Sequence, residues 1–252
     1  MELNKIIQGD CLEVMKDIPD KSIDMILADL PYGTTACKWD TIIPFEPLWE
    51  QYKRIIKDNG AIVLTASQPF TSALVMSNPS WYRHEWIWEK ERGANFLQAN
   101  RQPNKVHENV LVFGKTAPRY YPLKTINPIK TRQIAQPVIN KDFRKNAGLT
   151  TTKFRASENY EKDMLLPRSI QRFVRDSGDE YVHPTQKPVE LFAYLIKTYT
   201  NEGDLVLDNV AGSGTTGIAC KMLGRNYILI EKEPEYVKIC EDRIKSISNP
   251  LF

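Results

Sequence analysis

Long apolar runs are missing from the amino terminus of this chain, where MELNKIIQGD mixes acids and polar residues. Neither a signal peptide nor a membrane span is expected. The four cysteines, Cys11, Cys37, Cys220 and Cys240, are scattered and form no CxxC pair. That argues against a disulfide framework and against a zinc site, and it fits a reducing cytoplasm. No internal repeat or low-complexity tract appears, and the net charge is only +3, which by itself names no partner. What is present is ordinary for a soluble globular protein. Of 252 residues, 42% are hydrophobic and 26% charged, enough for one large domain or one domain carrying an insertion.

The distribution of charge says more than its sum. From Lys115 to Glu180 there are 14 Lys and Arg against 7 Asp and Glu, a net +7 that leaves −4 for the rest of a +3 chain. A basic middle in an acidic frame suggests a segment that meets a polyanion, although a solvated basic surface has the same composition. From about Pro118 to Glu180 the sequence also loses sustained periodicity and becomes rich in Asn, Thr, Lys and Arg. It reads as an insertion with little regular structure.

Elsewhere short apolar runs alternate with helical patterns. Lys5–Gln8, Ile23–Ala28, Ala61–Thr65, Leu205–Leu207 and Tyr227–Ile230 read as buried strands. Phe45–Lys57 sets Leu48, Tyr52, Ile55 and Ile56 on one helical face, with Asn59-Gly60 expected to close it. Val189–Tyr199 and Thr215–Leu223 read as further helices. The alternation predicts a doubly wound α/β sheet, mostly parallel. His84–Trp88 and Asn109–Phe113 are expected to add an antiparallel pair at one edge.

Three short stretches carry chemistry. In ILADLPYG, residues 26–33, an apolar strand runs into Asp29, a proline, a tyrosine and a glycine. Taken alone, this is as much a strand-ending turn as a site. Gly212-Ser213-Gly214-Thr215-Thr216-Gly217 fits G-x-G-x-x-G between a strand and a helix, and the following strand ends in an acid, Glu231. That is a nucleotide-binding arrangement. Only 21 of the 252 residues follow Glu231, so the remaining strands are expected from the amino-terminal side, in circularly permuted order. The strand ending at Asp10 would then lie beside the one ending at Glu231, and the strand ending at Asp29 on the far side of the glycine strand. Four acids, Asp10, Asp29, Asp208 and Glu231, would line the carboxyl ends of parallel strands, where such sheets bind ligands. The third stretch is HPTQKP, residues 183–188. Its prolines hold an extended segment that presents Thr185 and Lys187, either as an anion-binding loop or as a proline-marked helix start.

DLPYG, then HPTQKP, then DNVAGSGTTG and IEKEPEY resemble, in residues and order, the S-adenosylmethionine-dependent DNA amino-methyltransferases of the permuted β class. The resemblance spans nearly the whole chain outside residues 118–180. It implies a catalytic half at 1–117, a target-recognition region at 118–180 and a cofactor-binding half at 181–252. It also implies that Asp208, Gly212, Ser213, Gly214 and Thr215 line S-adenosylmethionine, that Glu231 bonds its ribose hydroxyls, and that Asp10 and Cys11 border its adenine. Thr185 and Lys187 would hold its methionine carboxylate. The catalytic tetrapeptide would be Asp29, Leu30, Pro31 and Tyr32. Two departures stand out. Asp208-Asn209-Val210 replaces the family's Asp-Pro-Phe, so the packing of that phenylalanine has no counterpart. Leu30 replaces a proline, but its backbone carbonyl survives.

An exocyclic amino nitrogen is a poor nucleophile because its lone pair is delocalised into the base. The resemblance implies that Asp29 and the Leu30 carbonyl accept its N–H groups while Tyr32 stacks on a base flipped from the duplex. Methyl transfer to adenine N6 is the expected reaction, because Asp29 stands where cytosine-N4 enzymes of this family tend to carry a serine. A nicotinamide-dependent oxidoreductase would account for the glycine loop alone, and a DNA-binding relative without catalysis would not need Asp29, Pro31 and Tyr32. The expected partner is double-stranded DNA, met by Arg119, Lys124, Lys130, Arg132, Arg144, Lys145, Lys153 and Arg155 in the basic interval. The sequence leaves the recognition site, a homodimer and a restriction endonuclease partner open.

Overall fold

A computed structural model describes residues 2–34, 40–93, 95, 97, 99–126, 164–174 and 186–247. The chain divides into a larger unit, residues 1–121 with 168–252, and a smaller one, residues 122–167. In the larger unit the elements begin with β1 (Lys5–Gln8), α1 (Cys11–Val14), β2 (Ile23–Ala28), α2 (Phe45–Ile55), β3 (Ile56–Ala66) and α3 (Phe70–Ser77). β4 (Tyr82–Glu89) and β5 (His107–Phe113) follow. The smaller unit holds β6 (Thr125–Ile126) and β7 (Met164–Leu165), an antiparallel pair. The chain then returns through β8 (Ile170–Arg172), α4 (Val189–Tyr199), β9 (Leu205–Asp208), α5 (Thr215–Met222), β10 (Asn226–Glu231) and α6 (Pro234–Ser246).

Eight strands form one sheet in the order β1-β10-β9-β2-β3-β5-β4-β8. Both expected neighbours are there: β1 pairs parallel with β10, and β2 pairs parallel with β9. β5 is antiparallel to both β3 and β4, while β8 is parallel to β4. The antiparallel pair is therefore not the edge of the sheet, as β8 adds a strand beyond it. This three-residue strand, IQR, is too short and too polar to show a period of its own.

Every residue of β2 is buried, and its alternate side chains enter two separate cores. Ile26 and Ala28 pack with Met15, Leu48, Tyr52, Ile55, Phe70 and Leu74 from the first three helices and their flanks. Met25 and Leu27 pack with Leu191, Leu195, Tyr199, Ile218 and Ile244 from the last three. A strand covered on both faces has no polar face to show, which is why β2, β9 and β10 read as continuous apolar runs.

One expected boundary is corrected. The helix from Phe45 ends at Ile55, and Asn59-Gly60 lies inside β3 instead of capping the helix. A Cβ at Gly60 would come within 2.8 Å of the Asp24 carbonyl oxygen, so this glycine permits close approach of β3 to β2.

Candidate active site

Because β1, β10, β9, β2 and β3 run parallel, their carboxyl ends share one edge, and the antiparallel β5 brings its amino end there. Asp10, Asp29, Asp208 and Glu231 all stand at this edge, at or just beyond the ends of their strands. A cleft of about 590 Å³ opens there. Of the residues singled out from the sequence, Asp10, Cys11, Asp29, Leu30, Pro31, Tyr32, Lys187, Asp208, Gly212, Ser213, Thr215 and Glu231 line it. Gly214 lies behind the wall, capping α5 in the left-handed region at φ +82°, and a Cβ there would collide with Cys240. Thr185 lies outside the described residues.

The turn after β2 is held by a carboxylate the sequence does not advertise. Asp40 accepts from Gly33 N at 2.8 Å through Oδ1 and from Thr34 N at 2.9 Å through Oδ2. Gly33 itself has φ +67°, a conformation that favours glycine. This fixes the path of the chain leaving Asp29 and Tyr32. Tyr32 donates to Asp29 Oδ1 at 2.8 Å, and Thr65, at the end of β3, donates to the same oxygen. Lys187 Nζ reaches the other oxygen, Oδ2, at 2.6 Å. Burial and the neighbouring Asp29 charge push the Tyr32 phenol well above its usual range, so it stays a neutral donor. The ring of Tyr32 stacks on Phe70, with centroids 5.2 Å apart.

Lys187 is only 7% exposed. Burial works against its charge, but Asp29 and Glu108 outweigh that and hold its pKa above the ordinary value. The cation is therefore part of the acidic cluster around Asp29, and its Nζ points at a carboxylate of the chain itself.

On the other side of the cleft, Glu231 braces the glycine loop. Its Oε2 accepts from Gly212 N at 2.7 Å and its Oε1 from Glu233 N at 2.8 Å. Arg243 holds the same loop through the carbonyl and hydroxyl of Ser213, at 2.7 and 3.0 Å. At Gly212, φ is +51° and a Cβ would meet nothing within 4 Å. Asp10 Oδ1 caps the short helix α1 by accepting from Leu12 N at 3.0 Å. The Cys11 thiol is pushed up by burial, which keeps it protonated and unreactive. Asn209 accepts from the Tyr52 hydroxyl at 2.6 Å, while its buried Nδ2 has no acceptor among the described residues.

The Asp208 carboxyl is strongly perturbed. Burial pushes its carboxyl up to about 7, aided by the charges of Asp29 and Glu231 and opposed by hydrogen bonds from Thr216 and Val210 N. Its folded pKa lies above the ordinary 3.8, so the folded state binds the proton more tightly than the unfolded one. The stabilisation this gives is full below about pH 4 and is lost as pH rises through about 7. Asp208→Asn should remove that dependence. In thermal melts without ligand, the variant is expected to gain stability relative to the parent as pH is raised from 4 to 8. Parallel pH profiles for the two proteins would contradict the assignment.

The DNA contacts expected in the basic interval fare differently from the cleft residues. Arg119 belongs to the larger unit, where its guanidinium pairs with Asp24 and, at 3.2 Å, with Asp204. Burial pushes the Asp24 carboxyl up, but Lys57, Leu205 N and Arg119 outweigh it and hold the acid below its usual range. Arg119 thus serves this buried acid. Lys124 is exposed in the smaller unit, and Lys130, Arg132, Arg144, Lys145, Lys153 and Arg155 lie outside the described residues. Among the described residues no group of His, Cys, Asp and Glu could hold a metal ion, and no helix is long and apolar enough to cross a membrane.

Sequence reasoning missed Asp40, Glu108 and Lys90 in the cleft lining and Thr65, buried against Asp29. Thr65 alone left a signal, as the last residue of an expected strand. The others become visible only through the sheet order and the loop geometry.

Comparison with known proteins places these features in a family. Residues 23–242 match the model of the N6_N4_Mtase family, described as DNA methylase. The chain is 30% identical to the type II methyltransferase M.HinfI of Haemophilus influenzae, over 98% of this chain and 70% of that one. It is 32% identical to the DNA adenine methyltransferase YhdJ of Escherichia coli K12, over 94% of this chain and 81% of that one. The solved M1.HpyAVI–SAM complex superposes with a TM-score of 0.62 at 26% identity, covering 95% of this chain and 98% of the other. The cytosine-N4-specific PvuII DNA methyltransferase gives a TM-score of 0.66 at 16% identity, covering 97% and 88%, a likeness of fold alone. The match over residues 23–242 covers most of the chain, and this chain belongs to the N6_N4_Mtase family of DNA methylases.

Proposed function

We propose that this protein transfers the methyl group of S-adenosylmethionine to the N6 amino group of an adenine flipped out of double-stranded DNA. The observation that carries the reading is the position of Asp29, whose carboxylate stands in the same cleft as the glycine loop, Asp208 and Glu231. Two curated relatives named above bear on the choice of base only in part, since one of them is named as a DNA adenine methyltransferase. Asp29 supports adenine as well, being the residue type the resemblance links to that base.

The cleft suits the cofactor. Its volume of about 590 Å³ falls in the range of small-molecule sites, and Gly212 presents bare backbone towards open space. Glu231 would hold the ribose hydroxyls, Asp10 and Cys11 would border the adenine ring, and Thr185 with Lys187 would hold the methionine carboxylate. When bound, S-adenosylmethionine supplies a methyl group made electrophilic by a positive sulfur.

The residues of the chain then have three tasks. Asp29 Oδ2 and the Leu30 carbonyl accept hydrogen bonds from the target amine, which returns its lone pair from the ring to the nitrogen. Tyr32 stacks on the extruded base and fixes its plane. The cleft as a whole aligns nitrogen and methyl for direct transfer, so positioning supplies much of the rate and no covalent enzyme intermediate is needed. The amine gains a methyl and loses one proton, and Asp29 is the acceptor next to that proton. Exposed cations of the basic interval would meet DNA phosphates, giving affinity without sequence information, while base-edge contacts would set the site.

Incubating the protein with DNA and methyl-labelled cofactor, then analysing the nucleosides, tests the reading directly. Label in N6-methyladenine is the expected outcome. Label in N4-methylcytosine would overturn the choice of base, and absence of any incorporation would remove the enzymatic reading.

A further inference from the structure

Four charged side chains, Asp29, Lys187, Glu108 and Lys90, alternate in sign. The Lys187 ammonium stands between Asp29 Oδ2, at 2.6 Å, and Glu108 Oε2, at 3.5 Å. Glu108 pairs through Oε1 with Lys90, which is only 5% exposed and lies 5.1 Å from the centre of the Trp88 ring. Glu108 is the second residue of β5, and Lys90 directly follows β4. The antiparallel run of β5 is what brings its amino end to the cleft. Lys90 and Glu108 both line that cleft, and the chemistry derived above uses neither.

A structural role accounts for this pair poorly. The cost of taking two charges out of water roughly cancels their attraction, and apolar residues of similar volume hold a fold as well or better. The acceptor geometry at Asp29 suggests what the pair does. An ionised carboxylate offers about four acceptor directions. The hydroxyls of Tyr32 and Thr65 take both on Oδ1, and Lys187 takes one on Oδ2. A single direction on Oδ2 remains for an amine N–H among the described residues. An ammonium carries three donors on a flexible stem. With Asp29 as its sole carboxylate within the chain it would be free to swing across that last direction.

Resting on the reading of Asp29 as acceptor for the target amine, we propose that Glu108 is a positioning residue for methyl transfer. It holds the Lys187 ammonium to one side, so that Asp29 keeps one open acceptor direction, and Lys90 holds Glu108 in place. Asp29 is thereby oriented by two hydroxyls and one cation before the base arrives. Such preorganisation acts on the rate of the chemical step more than on the binding of either substrate.

The test is Glu108→Gln, which keeps shape and an acceptor for Lys90 but drops the charge. Single-turnover methylation of a duplex carrying the mapped target site, at saturating S-adenosylmethionine, should slow about tenfold or more. The Kd for the duplex by fluorescence anisotropy should stay within about twofold of the parent, and any change in the Kd for S-adenosylmethionine by calorimetry, whose carboxylate Lys187 would hold, should be smaller than the loss of rate. Glu108→Asp, which restores the charge, should recover part of the rate. The pair Lys90→Met/Glu108→Gln leaves no unpaired buried cation and decides the matter if the single variant misfolds; it should show the same slowing. A parental single-turnover rate in either folded variant overturns the proposal. So does a loss of substrate affinity that matches the loss of rate, or a failure of both variants to fold, each of which marks a structural or ligand-binding role. Asp29→Ala measured alongside separates the two levels. If that variant still methylates, the reading of Asp29 falls and this inference with it. If it is inactive while the Glu108 variants are parental, the inference alone falls.

Discussion

Asp29→Ala is expected to reduce the single-turnover rate of methyl transfer by about a hundredfold to a thousandfold, the scale found when a preorganised polar group at a reacting centre is deleted. The side chains that hold Asp29 do not replace its carboxylate, because Thr65 and Tyr32 are donors to Asp29 in this arrangement and Lys187 has no acceptor at all. Asp29 also lies beyond the end of β2, outside the apolar contacts that hold the sheet to its helices. The variant should therefore fold. Lys187 loses its nearer partner but keeps Glu108, so the buried cation is not left without a counter-charge. Measured as methyl incorporation at saturating cofactor and DNA, a rate within tenfold of the parent would remove Asp29 from the mechanism.

Glu231→Ala should weaken S-adenosylmethionine binding between about tenfold and a hundredfold. A hydrogen bond to a charged group contributes about 1.5–3 kcal/mol, and about 1.4 kcal/mol is a factor of ten in Kd. Two effects add. The ribose hydroxyls lose a charged acceptor, and the glycine loop loses its brace, since Glu231 accepts from both Gly212 N and Glu233 N. Without the carboxylate the loop must be ordered again each time the cofactor binds, and that entropy is subtracted from affinity. Calorimetry reads both. Glu231→Gln retains an acceptor for the loop and should fall between alanine and parent. Parental affinity in the alanine variant would place the ribose elsewhere.

What could be read from the chain alone was whatever is local. β2, β9 and β10 are short, buried on both faces and bounded by turns, so each announces itself within about six residues. The glycine loop and the Asp-Leu-Pro-Tyr turn depend on backbone conformations that few residue types adopt, as at Gly33, Gly212 and Gly214. Even the neighbours of β1 and β2 followed, because a parallel sheet with helices on both faces leaves few ways to order its strands.

The tertiary structure decided the partners of the charges. Lys187 meets Asp29 across 158 positions of chain, and Tyr52 meets Asn209 across 157. Arg119 turns to Asp24 because the loop after β5 passes the start of β2 and β9, a matter of sheet order that composition cannot carry. Lys57–Gly60, whose Lys-Asp-Asn-Gly reads as a helix end, are carried within β3 as an irregularity between the Ile23–Ile56 and Met25–Ala61 pairs, because β3 pairs with β2 on both sides of them. A charged side chain can pair with any opposite charge that the fold brings near, and its own neighbours in sequence hold no information about which one that is. Apolar periodicity and turn chemistry are constraints along the chain, whereas the electrostatics of the cleft are a constraint between strands, and only folding brings those together.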